Sequence, residues 1–284
     1  MLMKILDGKA LACKLEIHIQ EEVRELNKNF IYPTLAVILV GDDPASASYV
    51  KMKSKACERV GMNTLTFAMP SETREERLLE KIAKLNEDEK IDGILVQLPL
   101  PKHINTSKIL AAICPQKDVD GFHALNVGRA TLGFECFIPA TPLGVMHLLS
   151  EYEINLRGKD CVVVGASNIV GKPLATLLLN AGATVSVCHI DTKDVSLYTK
   201  MADIVFVGVG KPNLITADMI KEGAIVVDIG INRLENGKLV GDVDFENVAP
   251  KCSFITPVPG GVGPMTIATL LQNTLQSAKT KLKR

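Results

Sequence analysis

Residues 45–57 read ASASYVKMKSKAC, and Tyr49 and Lys53 within them stand four residues apart. On a helix that spacing puts both side chains on one face, one turn from each other. A lysine acts as a base only as the free amine, so a chemical role requires burial or a nearby cation to lower its pKa. Composition offers another reading, in which Lys53 is one more solvent-facing lysine between Lys51 and Lys55. Tyr49 reads either as a half-buried aromatic whose hydroxyl reaches water or as a ring that stacks on a flat heterocycle.

A second candidate site follows the apolar run at 161–165. The stretch VVVGASNIVGKPLATLLLNAG has the order strand, turn, helix that a dinucleotide site requires. Peptide N–H groups at a helix start carry partial positive charge, and Gly165 and Gly171 leave room for a pyrophosphate beside them. The G-x-G-x-x-G pattern is not met, because Ser167 stands where the second glycine belongs and the last glycine falls one place late. On motif grounds a nucleotide turn and a plain connection are about equally supported. HIDTK, about 20 residues beyond Gly171, lies where an adenosine ribose is usually read. Asp191 suits the 2′-hydroxyl of NAD and Lys193 the 2′-phosphate of NADP, so the two signals conflict. A short-chain dehydrogenase places its glycine turn before its Tyr-x-x-x-Lys. Here the pair comes more than a hundred residues earlier than the turn, which predicts a substrate domain in front, a cofactor domain behind, and a cleft between them.

The elements that must position these residues follow from periodicity. Apolar positions 11, 15, 19, 23 and 26 predict a helix from Asp7 to Asn29, with Asp7 as its cap. TLAVILVG at 34–41 is the continuous apolar run of a strand buried on both faces, and a helix over 44–60 follows, with Pro44 in its first turn. A strand at 64–69, a helix over 72–87 and a strand at 92–101 complete an alternation that predicts a parallel sheet covered by helices. Residues 114–139 read as loop. A helix capped by Thr141, with Pro142 at its first position, comes next. Strands at 161–165, 183–188, 203–210 and 223–231, with a helix over 169–181, form a second α/β unit. A last helix, 264–281, ends in a solvated KTKLKR.

The totals exclude several classes. Lys plus Arg and Asp plus Glu both number 32, so no global field favours nucleic acid or an anionic membrane. No apolar run approaches a membrane span and the start is too short for a signal peptide, which predicts a cytoplasmic protein. The seven cysteines show no C-x-x-C and the five histidines no H-x-x-x-H, so no metal site is expected.

GDDPASASYVKMKSKACERVGM, DGILVQLPLPKHI, KDVDGFH, GASNIVGKP, VDIGINR and TPVPGGVGPMT occur in the order found in bifunctional methylenetetrahydrofolate dehydrogenase/methenyltetrahydrofolate cyclohydrolase. The chain resembles that family over essentially its whole length. The resemblance implies a two-domain α/β protein. Its domains would be a folate-binding catalytic domain over 1–140, joined by the C-terminal helix 264–284, and a Rossmann-like NAD(P)-binding domain over 141–263. It implies NADP-dependent oxidation of 5,10-methylenetetrahydrofolate to the 5,10-methenyl cation, then hydrolysis to 10-formyltetrahydrofolate. The partners implied are tetrahydrofolate derivatives and a second copy in a homodimer.

Carried over residue by residue, Lys53 would be the catalytic lysine, Gln97 its partner, and Tyr49 a wall of the folate site that helps hold the lysine. Asp120 would hold the pterin amino and ring N–H groups, although as a bare sequence feature it is an ordinary Asp-Gly turn. Pro259 and Gly263 would line the folate cleft, or serve only as a turn before the last helix. Gly165, Ala166 and Ser167 would touch the cofactor's phosphates and ribose, with Ile190 at its 2′ end and Ile231 at its nicotinamide side. Many members have arginine where this chain has Ala166, and serine or arginine where it has Ile190, so NAD also comes into question. Ala140 replaces a cysteine found in some members, and that cysteine is dispensable here if the activity is kept. Two alternatives remain open at this point: an NAD-linked monofunctional dehydrogenase and a catalytically silent folate-binding protein.

Overall fold

The computed structural model describes residues 3–283. In chain order it contains Lys4–Ile5 (β1), Gly8–Lys28 (α1), Thr34–Val40 (β2), Pro44–Val60 (α2), Asn63–Met69 (β3), Glu75–Glu87 (α3) and Gly93–Val96 (β4). Thr106–Ala112 (α4), Ala124–Thr131 (α5), Ala140–Glu151 (α6), Asp160–Val164 (β5), Gly171–Asn180 (α7) and Thr184–Cys188 (β6) follow. Ser196–Thr199 (α8), Ile204–Val207 (β7), Ile225–Asp228 (β8), Asn232–Arg233 (β9), Leu239–Val240 (β10), Phe245–Val248 (α9), Phe254–Ile255 (β11) and Val262–Lys279 (α10) complete it. The chain divides into two compact units. Of the described residues, one holds 3–12, 130–134 and 141–266, the other 13–129, 135–140 and 267–283.

The unit built around residues 13–129 has a three-stranded parallel sheet in the order β3-β2-β4. Its central strand is the apolar run TLAVILV, nearly all of it buried because helices and loops cover both faces. Each fully buried Leu, Ile or Val there contributes about 1.5–3 kcal/mol. Helix α2 begins where Asp43 accepts the Ser46 N–H at 2.7 Å and Pro44 presets the first turn. It stops at Gly61, whose φ of +80° lets its N–H return to Cys57 and Glu58. The inward side carries Val50, Ala56, Cys57 and Val60, so the opposite sides of the same turns remain for Tyr49 and Lys53.

Three expectations change in this unit. The strand expected over 92–101 ends at Val96; Gln97 gives one more N–H to the Ile38 carbonyl, and Leu98 and Pro99 then leave the sheet. The segment expected as loop contains helix α5, hidden from the pattern by its internal Gly128 and short length. The KTKLKR tail is not merely solvated, since Lys279 pairs with Glu22 and Lys281 meets the buried Asp92 at 2.6 Å.

The other unit has a six-stranded parallel sheet, β1-β11-β8-β7-β5-β6. Strands β1 and β11 were not expected, because two-residue strands are too short for a periodicity to register. Strands β7 and β8 are shorter than the expected 203–210 and 223–231. Gly208 and Ile229 each give one more N–H to the ladder, to the Val164 and Val207 carbonyls; residues 209–211 and 230–231 then leave the sheet, and the N–H groups at 209, 210, 211 and 230 go to carboxylates. Helix α6 starts at Ala140, so Thr141 lies inside it and does not cap it; its hydroxyl meets that of Thr266 at 2.9 Å.

Helix α10 ties the 13–129 unit through polar groups in an apolar setting. The buried Asn273 donates to the carbonyls of Val119 at 2.8 Å and Ile138 at 3.0 Å. Replacing Asn273 with Ala strands both acceptors, and the protein should lose about 2–4 kcal/mol of stability, measured by urea unfolding.

Candidate active site

Lys53 and Gln97 come together from α2 and the end of β4. The lysine Nζ donates to Gln97 Oε1 at 3.1 Å. The amide is held in that orientation because its Nε2 donates to the Leu98 carbonyl at 2.7 Å and its backbone N–H to Ile38. The partner is therefore a neutral acceptor. Burial holds the Lys53 amine below the usual lysine range, opposed by the negative charge of Asp120. Burial raises the Asp120 carboxyl in turn, opposed by the charge of Lys53. Both groups are thus biased toward their neutral forms. Tyr49 lies one turn before Lys53 on α2 and is half-buried.

The turn that carries Asp120 is built around Asp118, which the sequence reading passed over. This buried carboxylate accepts from the backbone N–H of His123 at 2.8 Å and Phe122 at 3.2 Å, and from Asn126 Nδ2 at 2.8 Å. Gly121 completes the turn at φ +73°, and a Cβ there would lie 2.6 Å from the Ile138–Pro139 peptide. The signal available in sequence was the double aspartate of KDVDG. Only its second member was singled out.

In the other unit the glycine turn fits a dinucleotide on two counts. Gly165 has φ +121°, and a Cβ on it would lie 2.5 Å from the Gly208 carbonyl oxygen; a Cβ on Gly171 would collide with the Gly165 carbonyl. Strand end, turn and helix start are therefore packed backbone to backbone, as close approach to a pyrophosphate requires. Ser167, in place of a glycine, closes the turn itself, its Oγ accepting from Val170 N at 3.1 Å and Gly171 N at 3.4 Å. Ala166 is half-buried beside it.

At the far end, Ile190 is 95% exposed, and Asp191 and Lys193 are exposed after β6. Ile231, 41% exposed, follows β8, and its Cδ1 would lie 3.3 Å from a Cβ placed on Gly263 at the start of α10. These two residues, expected on the cofactor and folate sides, are neighbours. Pro259 is exposed in the preceding turn. No group of three or more His, Cys, Asp or Glu residues could hold a metal ion among the described residues.

Sheet order, glycine turn and half-buried lysine define the class of a two-unit nucleotide-dependent α/β enzyme. Residues 6–120 match the tetrahydrofolate dehydrogenase/cyclohydrolase catalytic domain, and residues 139–282 the NAD(P)-binding domain of the same family. The chain is 64% identical over 280 residues to the bifunctional protein FolD of Wolinella succinogenes, covering 98% of each. It superposes on the crystal structure of the bifunctional FolD of Campylobacter jejuni with a TM-score of 0.97 at 60% identity, covering 98% of this chain and 99% of that one. With the Trypanosoma brucei enzyme, solved with NADP and an inhibitor, the TM-score is 0.96 at 36% identity over 99% of each chain. This chain belongs to the tetrahydrofolate dehydrogenase/cyclohydrolase family.

Asp118 offers a check on the electrostatics of the Asp120 turn. Burial pushes its carboxyl up from 3.8 to about 6 against the pull of its hydrogen bonds. The folded chain thus holds a proton that the unfolded chain has released between these values, and Asp118 contributes falling stability as pH rises through that window. Urea unfolding of Asp118→Asn should show a destabilisation smaller at pH ~7 than at pH ~4.5 by about 1–2 kcal/mol.

Proposed function

We propose that this chain oxidises 5,10-methylenetetrahydrofolate to the 5,10-methenyl form with NADP and then hydrolyses it to 10-formyltetrahydrofolate. The observation that carries the reading is the Lys53–Gln97 contact, a lysine paired with a neutral amide and biased toward its free amine. The matched catalytic and NAD(P)-binding domains and the bifunctional relatives support both activities.

The oxidation removes a hydride from the methylene carbon between N5 and N10, and the adjacent nitrogen lone pair supplies the electrons that make the cation. It asks the protein for position more than for a base. NADP, when bound, accepts the hydride. Gly165, Ala166 and Ser167 would hold its phosphates and ribose, with Ile190 and Ile231 toward its two ends. The close backbone packing at Gly165 and Gly171 admits no side chain at either position.

Hydrolysis does ask for proton transfer. Water adds to the methenyl carbon and loses a proton, N5 gains a proton as the carbon–N5 bond breaks, and the carbinol hydroxyl gives its own proton to solvent as the C=O forms, leaving the formyl group on N10 with one proton released overall. Lys53 as free amine takes the proton from water and, as ammonium, returns one to N5. Gln97 aims the amine, Tyr49 packs on the folate ring system, and Asp120 takes the pterin N–H groups. Pro259 and Gly263 are the further folate contacts in this reading. In this reading the enzyme is cytoplasmic and works as a homodimer on soluble folates, and its balanced net charge supplies no global field for nucleic acid or an anionic membrane. The NAD-linked monofunctional alternative is less favoured because the groups for ring opening are present and the relatives are bifunctional. The same groups speak against a silent folate binder.

The direct test supplies methylenetetrahydrofolate and NADP and follows nicotinamide absorbance, then supplies methenyltetrahydrofolate alone and follows its loss. No reduction, or no acceleration of ring opening, contradicts the reading. Lys53→Met should slow ring opening by about 10²-fold or more while folate affinity changes far less. In the unsubstituted enzyme the ring-opening rate should rise with pH as Lys53 gives up its proton, and that rise should be absent in the variant.

A further inference from the structure

Two buried aspartates in the nucleotide unit are not used by the chemistry above. Asp228 ends β8 and Asp242 follows β10, and both are at most 3% exposed. Among the described residues neither forms an ion pair. Their partners are N–H groups. Asp242 Oδ2 accepts from Val209 N at 2.6 Å and Gly210 N at 2.9 Å, and its Oδ1 from Lys211 N at 2.9 Å and Asn232 Nδ2 at 2.8 Å. Asp228 Oδ1 accepts from Gly230 N and Asp242 N, each at 3.0 Å, and its Oδ2 from Val243 N at 2.9 Å.

The two carboxylates act in series. Asp228 fixes the segment that carries Asp242, and Asp242 fixes residues 209–211 after β7. That loop begins at Gly208, whose carbonyl abuts Gly165 of the phosphate turn. Ile231 is pinned on both sides, since Gly230 bonds Asp228 and Asn232 bonds Asp242. The fit is close enough to forbid a side chain at either neighbour. A Cβ on Gly230 would strike the Asp242 carboxylate, and one on Gly241 would strike that of Asp228.

We infer that Asp228 and Asp242 are positioning residues for the dinucleotide, holding the loops after β7 and β8 against the phosphate turn and presenting Ile231. The inference rests on the placement of NADP at the Gly165 turn proposed above. A carboxylate is required because it offers only acceptors, and four donors converge on Asp242. An asparagine there would turn its own NH2 toward two of them. Burial pushes Asp228 up to about 6, so the fold carries a charge disfavoured by its surroundings and keeps it for these N–H groups.

The test is Asp242→Asn in the full chain, reading NADP KM in the dehydrogenase assay and, separately, ring opening of methenyltetrahydrofolate without cofactor. NADP KM should rise about tenfold or more, as expected when positioning loops shift by a fraction of an ångström, with ring opening within about twofold of the parent. Unchanged NADP kinetics, or a parallel fall in both activities, overturns the inference. If Asp242→Asn does not fold, Asn232→Ala decides: it removes one of the four donors, and a raised NADP KM with intact ring opening supports the inference, whereas an unchanged KM overturns it. Failure of the unsubstituted protein to reduce NADP would instead overturn the proposed function itself.

Discussion

The Nζ of Lys53 donates to an amide oxygen, and the buried carboxylates of Asp118, Asp228 and Asp242 accept from amide N–H groups. In each case a group that is charged in water sits in a poorly solvated place with dipoles, not a directly bonded opposite charge, for company. Such placement is expensive, because dipoles recover only part of the lost hydration. The chain therefore has to aim many dipoles accurately. Much of its loop architecture can be understood as the means of doing so.

For Lys53 the aiming is done by the short strand β4. Its exit through Leu98 and Pro99 leaves Gln97 with its backbone on the sheet and its amide nitrogen on Leu98, so only the oxygen faces the lysine. For Asp228 and Asp242 the roles reverse, and loops are aimed by carboxylates. Strands β7 and β8 give up their last residues so that backbone N–H groups converge on two side chains. The same physics serves in one place to bias a titratable group and in the other to hold backbone.

Regular elements with strong local signals were legible in the sequence. Helix α2 runs from Pro44 to Val60 as its proline and following glycine indicate, and β2 coincides with its apolar run to within one residue. What could not be read were elements whose existence depends on distant partners. The two-residue strands β1 and β11 pair with each other from opposite ends of the chain. The apparent strands 203–210 and 223–231 kept apolar residues past their true ends, and nothing local shows that the chain leaves the sheet after Gly208 and Ile229. At the candidate site, Lys53 and Gln97 were named from the sequence and stand in contact, and Gly263 and Ile231 prove to be neighbours. Asp118, Asp228 and Asp242 carry no motif of their own, because the N–H groups each accepts from are brought to it only by the folded loops. The pairing of Asp228 with Gly241 and Asp242 with Gly230 exists only in three dimensions.

The central claim is that Lys53 is biased toward the free amine by its surroundings. It can be read without any assay of activity, from the pH dependence of the lysine ε-carbon resonances in protein labelled with carbon-13 lysine, with the Lys53 signal assigned by its absence in a Lys53 variant. The account predicts a Lys53 midpoint clearly below the ordinary lysine value of 10.5 and below every solvent-exposed lysine in the same spectrum. A midpoint at or above that value would contradict it, because Lys53 would then be a fully charged ammonium at neutral pH with no free amine to offer.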